Sequence, residues 1–300
     1  RQTAPVPPDL AAAAAFAAGH ARLLDRHRFA LLFSGGRPEP VLAALEAYRN
    51  ADGGYGWGLE PDLRSTTSQP AGALHALEVF GDVAPACSPR ARELCDWLDA
   101  VTLPDGGVPF ALPVPDPAAC APFWASADPT TSSLQLTAVV AAAGLRVAAH
   151  DPAVAASPWL GRAVAATLDR VRALDTAPPA MELAFVVQFL DAAHAVDPAG
   201  AAAALDRVRG YVPAGGRLHV EGGAAEEFMR PLDFAPRPGP ARELLDPAAV
   251  AEDLRALAAG QQPDGGWLVD FASYSPAATL EWRGHRTVAA LALLRDNGLG

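Results

Sequence analysis

The stretch richest in reactive groups is Tyr274 … Glu281-Trp282-Arg283-Gly284-His285-Arg286. It brings a carboxylate, an imidazole, two guanidinium groups and two aromatic rings together, a set suited to cation–π binding or to a general acid/base pair. It precedes a stretch that reads as a buried helix. A histidine at a helix start meets the positive end of the dipole, which would lower its pKa. Glu60 and Asp62 form a second group, two acids in a loop between helical segments. They are either paired proton donors and acceptors or ordinary solvated loop charges. The third candidate acid is Asp128, in Ser126-Ala127-Asp128-Pro129-Thr130-Thr131. Aspartate before proline makes a sound helix N-cap, and a cap and a cavity acid are not exclusive roles.

The chain contains no lysine. Any phosphate or carboxylate must therefore be met by arginine, histidine or backbone amides. Arg64, Arg230, Arg283 and Arg286 fall in corresponding loops of a repeated unit. They are expected either to converge at one rim as an anion anchor or to pair with Glu60, Asp62, Asp233 and Glu281. Trp124 and Phe228, with Phe123, Met229, Phe234 and Phe271, are placed to line an apolar mouth or to pack the loops. Trp57 and Trp267 read as packing between adjacent helices, and Trp57 also counts among the candidate substrate contacts. Cys87, Cys95 and Cys120 have no CxxC spacing and no neighbouring histidine, so no metal site is expected.

A repeat must position these residues. Asp52-Gly53-Gly54, Asp105-Gly106-Gly107, Ala214-Gly215-Gly216 and Asp264-Gly265-Gly266 place their first glycines at 53, 106, 215 and 265. The middle interval is about twice the others, which predicts a degenerate unit near Ser157-Pro158-Trp159-Leu160-Gly161. A period near 50 marks a stacked or closed repeat architecture. Ahead of the glycine pairs lie helical patterns at Val41–Tyr48, Ala91–Val101 and Val250–Ala259. Apolar helices are predicted over 71–81, 133–149, 178–195 and 285–296, opened by Ser/Thr caps at Ser65–Ser68, at Thr130–Ser133 and from Thr279 onward. The repeated aspartates read as turn braces. No pair of alternating runs is joined by a hairpin turn, so the fold class is all-α. Residues 1–34 read as one long N-terminal helix after the Asp9 cap, 35–300 as repeat units, and 212–246 as a loop that acts as a lid.

Gln261-Gln262-Pro263-Asp264-Gly265-Gly266-Trp267 resembles the glutamine–tryptophan repeat of squalene/hopene cyclases. Asn50-Ala51-Asp52-Gly53-Gly54-Tyr55-Gly56-Trp57 and Leu103-Pro104-Asp105-Gly106-Gly107 are similar to the same turn in protein prenyltransferase β subunits. Glu60-Pro61-Asp62-Leu63-Arg64-Ser65 also resembles a prenyltransferase stretch that opens an inner helix. The resemblance covers most of 35–300 and implies a single α/α toroid of five or six helical hairpins. It implies less about chemistry. The acid motif of the class II terpene cyclases is reduced here to Asp128. The zinc site of the prenyltransferases is absent, because Thr130 stands where their cysteine would be.

Composition sets the outer limits. The chain has 300 residues, is 51% hydrophobic and 19% charged, and carries a formal charge of −11, so a large core forms and nucleic acid or an anionic membrane is repelled. No stretch is apolar for long enough to span a bilayer. Leu10–Ala18 is alanine-rich like a signal-peptide core, but it lacks a dense basic lead and continues as a helix. The first residue, arginine, points to a trimmed N-terminus. Unpaired cysteines suggest a cytoplasmic protein. The function expected from the resemblance is an isoprenoid enzyme that starts a cyclisation by protonation from Asp128 or the Glu60/Asp62 pair. Its substrate would be small and hydrophobic or diphosphate-bearing, with no cofactor unless Mg2+ accompanies a diphosphate. The alternatives are a carbohydrate-active toroid using Glu60, Asp62, Asp128 or Glu281 as paired carboxylates, and a non-catalytic toroid that binds a hydrophobic ligand or partner.

Overall fold

The computed structural model describes residues 7–299; the first six residues of the expected N-terminal segment and Gly300 lie outside it. The described chain is mostly helical, as the periodicity predicts. In order it forms α1 (Leu10–His20), α2 (Leu23–Phe33), α3 (Pro38–Leu45), α4 (Pro70–Asp82), α5 (Pro89–Val101), α6 (Pro122–Ala125) and α7 (Leu134–Ala148). These are followed by α8 (Pro152–Ala155), α9 (Pro158–Arg172), α10 (Ala180–Ala193), α11 (Pro198–Val208), α12 (Pro231–Phe234), α13 (Pro247–Ala259) and α14 (Pro276–Asp296). Many helices open on proline behind a Ser or Asp cap, as at Ser88, Asp151, Asp197, Asp246 and Ser275. Proline at the first helical position loses no hydrogen bond, and the cap oxygen takes up one of the free N–H groups.

From α2 to α11 the longer helices alternate between two layers. Helices α4, α7 and α10 pack side by side, and α2 reaches both α4 and α14. Behind them α5, α9 and α11 lie side by side, while α3 packs on α2 and α4, and α13 on α12 and α14. Both α1 and α2 pack on α14, so the two ends of the described chain meet. The core is alanine, valine and leucine. In α7 all residues from Leu136 to Leu145 are buried, and full burial of each Leu or Val contributes roughly 1.5–3 kcal/mol.

Three glycine pairs form one and the same turn. The first glycine has positive φ (Gly53 92°, Gly106 85°, Gly265 90°). The preceding aspartate accepts the N–H of the second glycine (Asp52 from Gly54, Asp105 from Gly107, Asp264 from Gly266). The remaining carboxylate capacity reaches outward, to Ser68, to Ser132 and to Arg283. The aspartates are therefore structural braces. A side chain at the second glycine would strike the following structure: a Cβ at Gly54 would lie 2.5 Å from Ser68 Cβ, and one at Gly266 2.8 Å from the Phe16 ring. Glycine is required by both conformation and space.

Four expectations are corrected. The N-terminal segment is two helices, because Ala21 and Arg22 take extended backbone while the Arg22 guanidinium is tied to Leu59 O and Asp25. The degenerate unit does not turn at Ser157–Gly161, which opens α9; the glycine-free segment 173–179 makes that turn instead. The last helix starts at Pro276 rather than near 285, capped by Ser275. Gly284 therefore sits in mid-helix, where a Cβ would come 2.9 Å from Ala21. Finally, 212–246 is partly built in. It holds a short hairpin, β1 (Leu218–His219) and β2 (Phe228–Met229), then α12, and buries Leu232, Phe234, Ala241 and Leu244.

Two measurements check this framework. Gly265→Ala forces a Cβ to 2.1 Å from Ala12 O at positive φ and is expected to cost roughly 2–4 kcal/mol in denaturant unfolding. Gly161→Ala, in α9 with open space around it, should stabilise by roughly 0.5–1 kcal/mol. Limited proteolysis should nick the exposed hairpin tip at 221–227 and leave 231–246 intact; cleavage spread evenly over 212–246 would contradict the built-in half.

Candidate active site

The loop over 57–65 is pinned on both sides. Ala121 N donates to Asp62 O, and Leu63 bridges to Cys120. Within the loop, Glu60 Oε1 accepts the N–H of Asp62 at 3.0 Å. The Asp62 carboxylate then points at the C-terminal helix: Oδ1 accepts Tyr274 N at 2.9 Å and Oδ2 accepts Trp282 Nε1 at 2.8 Å. Next to it Arg64 forks onto Glu281 at 2.6 and 3.2 Å. Glu60, Asp62, Arg64, Tyr274, Glu281, Trp282 and His285, drawn from two distant stretches of sequence, thus occupy one place.

Helix α4 supplies the other half. His75 and Glu78 are three residues apart and share a helix face. His75 Nε2 meets Glu60 Oε2 at 2.9 Å and its Nδ1 meets Glu78 Oε2 at 2.9 Å. From α14, His285 Nε2 reaches the same Glu78 oxygen at 3.2 Å. The Trp282 ring stands edge-on to both imidazoles, 5.7 Å from each, and Phe271 stands edge-on to Trp282 at 5.1 Å. Phe123 links Tyr274 to Trp124, which stacks on Phe110 at 4.5 Å. Behind the cluster runs a buried ionic row: Arg22–Asp25 at 2.9 Å, Asp25–Arg28 at 3.3 Å and Arg28–Asp82 at 2.7 Å.

The electrostatics follow from burial set against these partners. Burial works to depress the His75 imidazolium, but Glu78 and Glu60 outweigh it and push the pKa up to about 9. Burial would raise the Glu78 carboxyl, yet His75 and His285 hold it well below the usual range. For His285 burial prevails over Glu78 and lowers its pKa. The cause is desolvation within α14, not the helix start expected from sequence. Burial raises the Asp62 carboxyl despite the N–H groups of Tyr274 and Trp282. Arg146, half-buried on α7, is lowered to about 10 by burial and takes part in none of the ion pairs among the described residues.

Other predicted site residues go elsewhere. Asp128 is exposed and clamped by the Thr130 and Thr131 hydroxyls at 2.7 Å each, which hold its carboxyl below its ordinary value. It braces a turn rather than capping a helix, and it is no acid in a dry pocket. Trp57 is 54% exposed at positive φ, its Nε1 donating to Asn50 Oδ1, so it does not pack between helices as Trp267 does. The four arginines do not converge. Arg64 is held by Glu281, Arg283 pairs with Asp264 and covers Phe16, and Arg230, 3.9 Å from Asp270, and Arg286 both lie near Asp253. Phe228 packs under Arg217 on the hairpin, and Phe234 is wholly buried. An open groove of about 520 Å³ lined by Arg49, Asp52, Glu93 and Trp97 belongs to the first glycine turn and contains none of the site residues.

His75, Glu78, Arg146, Asp25 and Arg28 were not among the sequence candidates. A signal existed for three of them. His75 and Glu78 are the only charged or titratable residues within 71–81, and Arg146 is the only charged residue before His150 within 133–149. A lone charge in a helix buried on several faces must be compensated or functional.

No protein-family model matches the sequence, and no curated protein matches it. Among solved structures the chain is similar to the crystal structure of a protein from Actinoplanes. Identity is 17% and the TM-score 0.50, over 96% of this chain and 89% of that one. At that identity the likeness concerns the fold alone.

The buried row gives a test. Burial works to raise the Asp25 carboxyl, but Arg22 and Arg28 outweigh it and hold it below the usual range. Asp25→Asn leaves two buried guanidinium groups short of a partner and is expected to cost roughly 3–5 kcal/mol. A carboxyl with a lowered folded-state pKa stabilises above its unfolded value, near 4, and loses this as pH falls through the folded value. The gap between wild type and variant in urea unfolding should therefore be full at pH 7 and shrink below about pH 4.

Proposed function

We propose that the chain is a single α/α toroid and an enzyme of proton-initiated chemistry on an apolar, isoprenoid-type substrate, with Asp62 as the proton donor. The toroid is supported by the alternation of helices between two rows and by the packing of α1 and α2 on α14. None of the described helices is long and apolar enough to cross a membrane, and the three cysteines are free thiols, which suits the cytoplasmic setting we assign.

The observation that carries the chemistry is the company Asp62 keeps. Glu60 is bound to His75, Glu281 to Arg64, and Asp128 to two hydroxyls. Asp62 is held by two neutral N–H donors, so taking up a proton breaks no close ion pair, and burial favours the neutral acid. Trp282 stands directly on this carboxyl, with Phe271 against it and Tyr274 and Phe123 alongside. Ring faces there would stabilise a cation formed when the proton leaves. Arg146 replaces the rim arginines as the anchor for an anionic head group, since it is half-buried in a helix that carries no other charge and takes part in none of the ion pairs among the described residues.

A mass-spectrometric product screen with geranyl, farnesyl and geranylgeranyl diphosphates and squalene tests the assignment. Wild type and Asp128→Ala should give the same cyclised product, and Asp62→Asn should slow its formation about 10²–10⁴-fold. Loss of product in Asp128→Ala with retention in Asp62→Asn would reverse the assignment. No turnover of any of these by wild type would end the isoprenoid reading.

A further inference from the structure

We propose that His75, Glu78 and His285 form a binding site for one divalent transition-metal ion of the zinc class, with Glu60 as the positioning residue behind His75. The three side chains offer nitrogen or carboxylate oxygen atoms that lie within 4.8 Å of one another. Two of the separations are 2.9 Å (His75 Nδ1 to Glu78 Oε2) and 3.2 Å (His285 Nε2 to Glu78 Oε2). Ligand bonds of about 2.0–2.1 Å in a tetrahedral site place ligand atoms about 3.3–3.4 Å apart. These two separations therefore need to widen by only a few tenths of an ångström to admit the ion.

The rest of the geometry suits an ion better than a chance contact. His75 and Glu78 project from one face of α4, and His285 comes from α14, so rigid helices rather than loops carry all three. With Nδ1 turned to the ion, His75 Nε2–H donates to Glu60 at 2.9 Å, the carboxylate–histidine arrangement that sets tautomer and ring orientation at metal sites. Charge also balances. Two neutral imidazoles, a dication and the carboxylates of Glu60 and Glu78 sum to zero, which favours burial in a helix otherwise built from Ala71, Ala73, Ala76, Leu77 and Val79. The nearest arginine of the buried row, Arg28, is already held by Asp25 and Asp82. Two imidazoles with one carboxylate and no thiolate select zinc or a similar borderline ion over calcium or magnesium. Three protein ligands leave one position for water or a substrate oxygen. The site arises from residues more than 200 positions apart, which is why no sequence spacing announces it.

The inference does not depend on the isoprenoid reading, and its test is binding rather than turnover. The full chain, without an affinity tag and stripped with a chelator, would be titrated with Zn2+ by calorimetry and with Co2+ by visible absorption. The expected result is one ion per chain, a strong tetrahedral Co2+ band and a raised Tm in Zn2+. His285→Gln and Glu78→Gln should each weaken binding at least 100-fold, Glu60→Gln about 10–100-fold with the stoichiometry kept, and His219→Gln not at all. Circular dichroism on each variant separates lost ligands from lost fold, and His285→Gln, which removes no α4 residue, decides if Glu78→Gln unfolds. Absence of Zn2+ binding by wild type up to about 1 mM, or binding that survives His285→Gln with the fold intact, would overturn the proposal.

Discussion

The rest of the site depends on a cross-brace of partly buried charge between α4 and α14. Glu78 receives His75 from its own helix and His285 from a helix 207 residues further along the chain. Neither imidazole nor carboxylate is tolerated inside such a helix without a partner, because desolvation of an unpaired charge costs far more than a local contact returns. Each group therefore dictates where the other helix must lie. Glu60 extends the brace into the loop over 57–65, and that placement is what turns the Asp62 carboxyl toward Trp282.

A second row of buried charge, Arg22–Asp25–Arg28–Asp82, ties α2 to α4 along the same side. It explains the break between α1 and α2. Arg22 can reach both Asp25 and the carbonyl of Leu59 only if the chain leaves the helix at Ala21. Gly284 lets that corner press against α14, where any larger residue would hold it off. Packing at one glycine and pairing at one arginine thus set how the N-terminal helices meet the last one, and with it the position of His285.

The departures among the candidate acids have a common physical cause. Asp128 and the turn aspartates use their oxygens on nearby hydroxyls or amides, the local bonds that short polar side chains make most readily. Asp105, Asp128 and Asp264 are stabilised as the anion and exposed. Asp62 lies in a loop too, but its partners come from Tyr274 and Trp282, more than 200 residues away. Long-range partners carry the carboxyl inward, away from water, and burial raises it. The arginines divide in the same manner: Arg283, on α14, is taken up by Asp264 of the turn before that helix, whereas Arg64 reaches Glu281, more than 200 residues away.

Helix positions, the glycine turns and the bracing aspartates were legible in the sequence because each is decided within a few residues: by apolar spacing, by positive φ, by a side chain reaching an amide two positions on. The clustering of reactive types at Glu60–Asp62 and Glu281–His285 was legible as two separate groups. That they are one place was not, nor was the part taken by His75, Glu78 and Arg146, because residues of an otherwise apolar helix show their purpose only by what stands opposite. The extent of α14 was hidden for a related reason. Tyr274 to Arg286 carries no stop signal, and the helix begins where Ser275 caps it and where α1 and α2 leave room for it. Local geometry is written in neighbouring residues, whereas the pairing of buried charge is settled by elements that meet only when the chain has folded.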